Sequence, residues 1–463
     1  MHREQLAWLQ NWAQRPKRKP LIIRGARQVG KSTLVNLFAQ QSGLELVLLN
    51  FERNPEYAQV FTSKDPVQTV NMLALLFNQS ITPVKSLLFL DEIQAQPAVL
   101  GALRYFYEEM PDLHIIAAGS LLDFELASPS FSMPVGRISY LHMGAMNFTE
   151  FLAAVGKDKL TQFVKTWQVG TEIPPVLHAE LMQWLRRHMA VGGMPEVVAA
   201  FAQSGSYQAC EEIKQDLLAT FTDDFAKYAK AGDQELIRTA FRKVPAMLGQ
   251  KIKYVDMHRE RKATDVAQVI GQLCQARVIT KVIQTAANGL PLSAEENPAF
   301  FKLLFLDTGL VSSVLNLSYQ ALQAEDLMLV NAGALAEQYV GQALLNSLEA
   351  HEHPYIHYWA REQRSSSAEV DFVIACERHV VPVEVKAGKS GSLKSLHLFL
   401  KEKPSPLAVR FNADLPSVLE GVHPLENGQT KNYVLLSLPL YLAGECRRVV
   451  AAYAETATHI KSV

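Results

Sequence analysis

Apolar positions recur along this chain in two rhythms, and the switches between them predict where strands and helices fall. Leu6, Leu9 and Trp12 share one face of a short amphipathic helix, and a basic run, Arg15, Lys17, Arg18 and Lys19, breaks at Pro20. The apolar run Leu21-Ile22-Ile23 then reads as a strand, followed by a glycine-rich turn and a helix from about Lys31 to Gln41. A second β-rich run covers Leu46 to Asn50, and a helical region reaches Phe77. Ser86–Leu90 and His114–Ala118 supply a third and a fourth strand. Strands alternating with helices in this way predict a parallel sheet covered on both faces.

After about Asn147 the pattern becomes mostly helical to about Lys230, interrupted by Pro174-Pro175 and by Gly192-Gly193-Met194-Pro195. Between 234 and 320, helical segments lead into a candidate hairpin of Val278–Ile283 and Lys302–Leu306. A helix from about Asn331 to Leu348 opens the last third. Strand-like runs follow at Tyr355–Trp359, Glu369–Ile374 and Val380–Val385. There is no internal repeat and no low-complexity segment.

A chain of 463 residues exceeds one ordinary core, so about three domains are expected. Its 48% hydrophobic and 20% charged residues suit a folded, soluble protein. The formal net charge of −1 excludes a globally basic nucleic-acid binder, so any DNA contact must rest on local patches. Cys210, Cys274, Cys376 and Cys446 lie far apart, without the paired spacing of a zinc site, and read as reduced thiols. The amino terminus lacks the apolar core of a signal peptide, and no stretch approaches the ~20 apolar residues of a membrane span. The expected location is the cytoplasm, with no membrane partner.

Two motifs point to a nucleotide. Gly25-Ala26-Arg27-Gln28-Val29-Gly30-Lys31-Ser32, with Thr33 behind it, fits the phosphate-binding loop between a strand and a helix. Its glycines let backbone N–H groups wrap phosphates, and the helix N-terminus adds a positive dipole end. Lys31 would neutralise the β- and γ-phosphates of ATP, and the Ser32 hydroxyl would ligate Mg²⁺. The apolar strand Leu87-Leu88-Phe89-Leu90 then delivers Asp91 and Glu92 to the carboxyl edge of the sheet. There Asp91 can hold the metal and Glu92 can polarise the attacking water as general base. Ser120, after the strand Ile115–Ala118, is a candidate sensor of the γ-phosphate or simply a small residue ending a strand. Arg137 is a candidate arginine finger for a neighbouring subunit or an ordinary salt-bridged arginine.

A second acidic cluster lies near the carboxyl terminus. Glu369-Val370-Asp371 opens one strand and Glu384-Val385-Lys386 ends the next. If these strands pair around Cys376-Glu377-Arg378-His379, alternation brings Asp371 and Glu384 together, with Lys386 on the same face. Two carboxylates there would coordinate Mg²⁺ and the lysine would orient a water, which is the chemistry of metal-assisted phosphodiester hydrolysis. Glu337, on the preceding helix, could add a third acid. The bland alternative is a solvated edge strand, against which stand the flanking apolar runs Phe372–Ile374 and Val380–Val383.

Taken together, these residues resemble prokaryotic AAA-type ATPases of the archaeal-ATPase-like clade that carry a C-terminal domain of unknown function. The likeness rests on Arg24 to Ser32, Leu90-Asp91-Glu92-Ile93-Gln94, Gly119-Ser120 and Phe148-Thr149-Glu150-Phe151. It continues through Gly192 to Pro195, Phe305-Leu306-Asp307-Thr308-Gly309-Leu310, Ala368 to Phe372 and Glu384 to Gly388. The resemblance implies an α/β fold: an AAA-like parallel-sheet core at 1–146, a helical lid at 147–230, a winged-helix segment at 231–325 and a domain similar to the PD-(D/E)XK nuclease superfamily at 326–463. In that superfamily's pattern Asp371, Glu384 and Lys386 fall on the catalytic acids and lysine, and Glu337 on the helix glutamate; the proline before the first acid is replaced by Val370.

The winged-helix reading gives Lys251, Lys253, His258, Arg259, Arg261 and Lys262 a possible role at DNA phosphates, beside the alternative of a solvated face. Two functions follow. One is an ATP-regulated DNA-processing enzyme with a metal-dependent nuclease-like domain. The other is an ATP-switched DNA- or protein-binding regulator whose nuclease-like domain is not catalytic. Rings of the AAA type make a homo-oligomer a further expectation.

Overall fold

The protein is described from a computed structural model, which covers all residues except 121, 123–133, 229–232, 318–331, 364–365, 389–391, 425–428 and 461–463. The chain divides into two compact units. The first comprises Met1–Gly144, Gln275–Val278 and Glu349–His353, and the second holds the remainder.

The first unit is built on five strands: β1 (Leu21–Arg24), β2 (Glu45–Asn50), β3 (Ser86–Asp91), β4 (His114–Gly119) and β5 (Ser139–His142). Their order is β2-β3-β4-β1-β5, and every neighbouring pair is parallel. Parallel strands covered by helices need apolar residues on both faces, and Leu87 through Leu90 and Ile115 through Ala118 are all buried. The helix Gln5–Ala13 turns Leu6, Leu9 and Trp12 inward, as its spacing predicts. The Trp12 ring meets Phe38 of the helix Lys31–Ser42 edge-on, with centroids 6.3 Å apart. Because all five strands point the same way, Arg24, Asp91 and Gly119 end at one edge, where ligands of open α/β sheets bind. The short β5 is not legible as a strand in the sequence; its register with β1 runs from Ser139 opposite Leu21 to His142 opposite Arg24.

The second unit opens with the helices Phe148–Ala154, Asp158–Thr166, Pro175–Val191, Pro195–Ser204 and Tyr207–Tyr228. Asn147 caps the first through a reciprocal box: its carboxamide accepts from the Glu150 amide at 2.8 Å, and Glu150 accepts from the Asn147 amide at 3.1 Å. The two interruptions expected at Pro174-Pro175 and Gly192–Pro195 do separate helices. Gly193 is also a packing requirement, since a Cβ there would lie 2.1 Å from the Met146 carbonyl oxygen. Its amide donates to Asp307 Oδ2 at 2.6 Å, and Asp307 Oδ1 accepts from the Leu310 amide at 3.1 Å. The Gly192–Pro195 and Asp307–Leu310 motifs therefore meet as one buried latch.

The unit's eight-stranded sheet contains β6 (Ile279–Thr285), β7 (Glu296–Phe305), β8 (Ile356–Gln363), β9 (Ser366–Cys376) and β10 (His379–Val385). It is completed by β11 (Leu407–Asn412), β12 (Ser417–Pro424) and β13 (Thr430–Pro439), in the order β12-β13-β11-β10-β9-β8-β6-β7. The β9–β10 hairpin turns at Glu377-Arg378, with Cys376 opposite His379, and Glu377 takes a left-handed φ of 51°. β10 lies inside the sheet, between β11 and β9, so the solvated-edge reading of Glu384-Val385-Lys386 does not apply. β6 and β7 pair as the predicted antiparallel hairpin, and β6 also runs parallel to β8, Val282 opposite Ile356. Strands on both sides of the expected 325/326 boundary thus belong to one sheet. Among the described residues, no helix is long and apolar enough to cross a membrane.

Candidate nucleotide and metal sites

The loop between β1 and the helix Lys31–Ser42 is held open by backbone geometry. Gly30, which precedes the helix, has φ +90°, a conformation that strains any residue with a Cβ. Lys31 is buried, and its ammonium donates to the carbonyls of Gly25 at 3.0 Å and Ala26 at 2.7 Å. Burial lowers its pKa to about 8, against the pull of Glu92 and Asp91. Ser32 Oγ donates to the Asp91 carboxylate, 3.2 and 3.1 Å from its two oxygens. Burial, then the neighbouring Glu92, push the Asp91 carboxyl above its usual range. A hydroxyl paired with a half-buried carboxylate at the end of a strand is a hard oxygen set, which suits Mg²⁺. Ala26 and Val29 are buried under the loop, while Gln28 and Thr33 are exposed.

Glu92 follows β3 in a left-handed conformation, φ +50°, which turns it out of the strand. Gln94 Nε2 donates to Glu92 Oε2 at 2.5 Å. Sequence reading does not single out Gln94 as a site residue; its signal is only its place two positions after the acid. Ser120 is buried, and Arg27 Nε donates to its hydroxyl at 3.2 Å, tying the loop to the end of β4. Arg137 pairs with Glu108 at 2.8 Å and lies over the Tyr107 ring, 5.7 Å from its centroid. Arg277 belongs to the first unit despite its distance in sequence, and its positive charge acts on Lys31 and His142. Nothing in the sequence connects it to the loop.

In the second unit, four acids and three lysines converge. Glu369 and Asp371 come from β9, Glu384 from β10, Glu337 from the helix Ala332–Asn346 and Lys302 from β7. Asp371 Oδ2 accepts from the Val385 amide at 2.8 Å, and Lys386 Nζ donates to Glu384 Oε1 at 2.6 Å. Asp371, Glu384 and Lys386 are thus brought to adjoining positions as expected. The second carboxylate oxygen of buried Glu384 has no hydrogen-bond partner. Burial, then Asp371, raise the Glu384 pKa to about 7.

Glu337 is engaged differently. Its carboxylate accepts from Lys302 Nζ at 2.8 Å, and the same ammonium lies 2.5 Å from Glu369 and 3.8 Å from Asp371. Lys251 contacts the other oxygen of Glu369 at 3.5 Å. Burial, then Asp371, raise Glu337 to about 7, against Lys302. Burial works against the Lys302 ammonium, yet Glu337, Asp371 and Glu369 together push its pKa above the ordinary lysine range. Among the described residues, no three acidic, imidazole or thiol side chains stand arranged around a common metal position. A metal would find Asp371 and the unpartnered oxygen of Glu384, with Glu337 turned to Lys302. Lys302 is the residue that sequence reading missed, since its signal, a lysine in an apolar strand, carries no spacing to the acids. Of the basic stretch, Lys253, Arg259, Arg261 and Lys262 are exposed.

An AAA domain model matches residues 17–152. That stretch holds the phosphate-loop residues Gly25–Ser32 and the Asp91-Glu92 pair, and it is similar to AAA domains. Two further models match, both described as domains of unknown function: DUF8612 over residues 182–321 and DUF4143 over residues 332–421. Among curated proteins none matches the chain. Among solved structures, the chain is similar to a Walker-type ATPase of Pyrococcus abyssi at 14% identity, covering 68% of this chain and 95% of that one, with a TM-score of 0.43. It is also similar to the ORC1 protein of Aeropyrum pernix solved in complex with DNA, at 12% identity, covering 68% and 93%, with a TM-score of 0.30.

Proposed function

We propose that the protein binds ATP with Mg²⁺ and hydrolyses it, and that this cycle governs a second unit acting on DNA through a metal-dependent site. The observation that carries the ATPase reading is the buried Lys31 ammonium, which donates to the loop's own carbonyls beside the Ser32–Asp91 pair. Phosphates are stronger partners for an ammonium than carbonyls, so Lys31 would exchange Gly25 and Ala26 for the β- and γ-phosphates. Ser32 and Asp91 would hold Mg²⁺, which neutralises phosphate charge. Glu92, fixed by Gln94, would take the proton of the attacking water. Ser120, coupled to Arg27, would report on the γ-phosphate end of the loop. Cytoplasmic ATP would be the natural supply.

For the second unit, Asp371 and Glu384 would hold a divalent ion with Glu337 in reserve, and Lys386 would orient water toward a phosphodiester. The exposed Lys253, Arg259, Arg261 and Lys262 would meet DNA phosphates, a winged-helix arrangement placing the helix Ala263–Gln275 for the contact. A second reading, an ATP-switched binding protein without cleavage, is favoured by one observation. Lys302 already occupies Glu337 and Glu369, two of the acids in the cluster.

The deciding experiment incubates the protein with single-stranded, duplex and branched DNA in Mg²⁺ or Mn²⁺, with and without ATP, beside Lys31→Ala and Lys386→Ala. Cleavage that disappears in Lys386→Ala and responds to ATP only with Lys31 intact supports the coupled enzyme. ATP hydrolysis without cleavage under any metal selects the binding protein. If the protein forms rings with Arg137 as a finger in trans, Arg137→Ala costs about 10³-fold in hydrolysis. An unchanged rate keeps Arg137 with Glu108.

A further inference from the structure

We propose that Lys302 is a resident counter-cation of the acid cluster, which competes with a divalent ion and keeps the second unit's metal site in a low-affinity state. The inference rests on the metal-site reading of Asp371 and Glu384 above. Lys302 is only 1% exposed, yet it sits on β7, whose one other charged residue, Glu296, pairs with His357. All three of its acidic partners come from elsewhere: Glu337 at 2.8 Å, Glu369 at 2.5 Å and Asp371 at 3.8 Å. Two of these, Glu337 and Asp371, are the acids on which a nuclease-like metal would draw.

A lysine ammonium and a divalent ion are cations that satisfy the same oxygens, and in a buried site they repel strongly. The longest of the three contacts is the one to Asp371, so an ion can be admitted there only against the ammonium's charge. Glu384 offers the complementary feature, a buried oxygen without a partner on the far side from Lys386 Nζ's contact oxygen. As folded, the cluster therefore presents two ligands and withholds the third. Lys302 partly offsets the carboxylate charge that a divalent ion would otherwise meet.

The test is Mn²⁺ titration of full-length, nucleotide-free protein, with the free ion followed by electron paramagnetic resonance. An Asp91→Asn background removes the first unit's metal ligand. Lys302→Met should bind Mn²⁺ roughly tenfold tighter or more than the protein with Lys302. Lys302→Arg, which keeps the charge, should not. The gain should vanish on adding Asp371→Asn. Equal affinities with and without Lys302→Met, both abolished by Asp371→Asn, would leave the metal site standing and overturn the role of Lys302. Absence of Mn²⁺ binding in every variant would overturn the metal-site reading and the proposal with it. Should Lys302→Met fail to fold, Lys302→Met with Glu369→Gln removes one acid together with the base and carries the same comparison.

Discussion

Lys31 and Lys302 are both buried lysines beside carboxylates, and they are held in opposite ways. Lys31 donates to two main-chain carbonyls, and burial drops its pKa to about 8. Lys302 donates to side-chain carboxylates, whose charge overcomes burial and raises its pKa. A buried ammonium without a fully charged partner is a site prepared for an anion that arrives later. A buried ammonium among three acids is a charge already balanced, and its loss leaves the acids uncompensated. The same residue type thus suits a proposed ligand site in one unit and charge pairing in the other.

The sharpest way to break that contrast is at Glu92, the proposed general base of the first unit. Glu92→Gln should lower ATP hydrolysis by about 10²- to 10⁴-fold while leaving ATP binding intact. Phosphate release and a fluorescent-nucleotide titration measure the two, and hydrolysis near the parent rate would remove Glu92 from the base role. Next in size is a stability comparison of the two lysines in nucleotide-free protein. Lys302→Met should cost about 3–5 kcal/mol, since it strands Glu337, whereas Glu369 keeps Lys251. Lys31→Met should stay within about 1 kcal/mol, because it relieves a desolvated charge and forfeits only two carbonyl contacts. Urea midpoints of each variant decide the matter, and equal losses would erase the distinction drawn here.

The smallest expected effect is one that the two units share. His114 in the first and His188 in the second each have a pKa lowered from 6.5 to about 4, chiefly by burial. Between those values the unfolded chain binds more protons than the folded one. Stability is therefore fully present above pH 6.5 and is lost as pH falls toward 4, by at most about 3 kcal/mol for each histidine. His188 packs against Phe151, with ring centroids 4.9 Å apart, so His188→Phe suits the pocket. That variant should flatten the acid limb of stability measured by urea unfolding from pH 7 to 4. An unchanged limb would assign the acid loss elsewhere.

Much of the first unit was legible because its chemistry is local. Gly25 to Ser32 is contiguous, and the apolar run Leu87–Leu90 declares both the buried strand and the Asp91-Glu92 pair at its end. The β9–β10 hairpin was legible for the same reason, since alternation around a two-residue turn determines which side chains share a face. The helical stretch from 147 to 230 announced itself through period and through its proline and glycine breaks. Less local features were missed. β5 is four residues long and only partly buried, and the strands and helices after Val385 were not read at all.

What the sequence determined by itself is therefore the set of short-range devices: the phosphate loop, the acidic strand end, the helix breaks at Pro174-Pro175 and Gly192–Pro195, and the pairing of Asp371 with Glu384. The tertiary structure decided which distant residues answer them. It joined Asp307 to Gly193 and Arg27 to Ser120, and it brought Arg277 into the first unit. It placed the β6–β7 hairpin in the same sheet as β9 and β10, which puts Lys302 among the acids. The physical reason is that spacing governs neighbours within a strand, a helix or a turn. The partner of a buried charge is chosen by packing, because in the interior every ion must be met by whatever opposite charge the sheet order brings within reach.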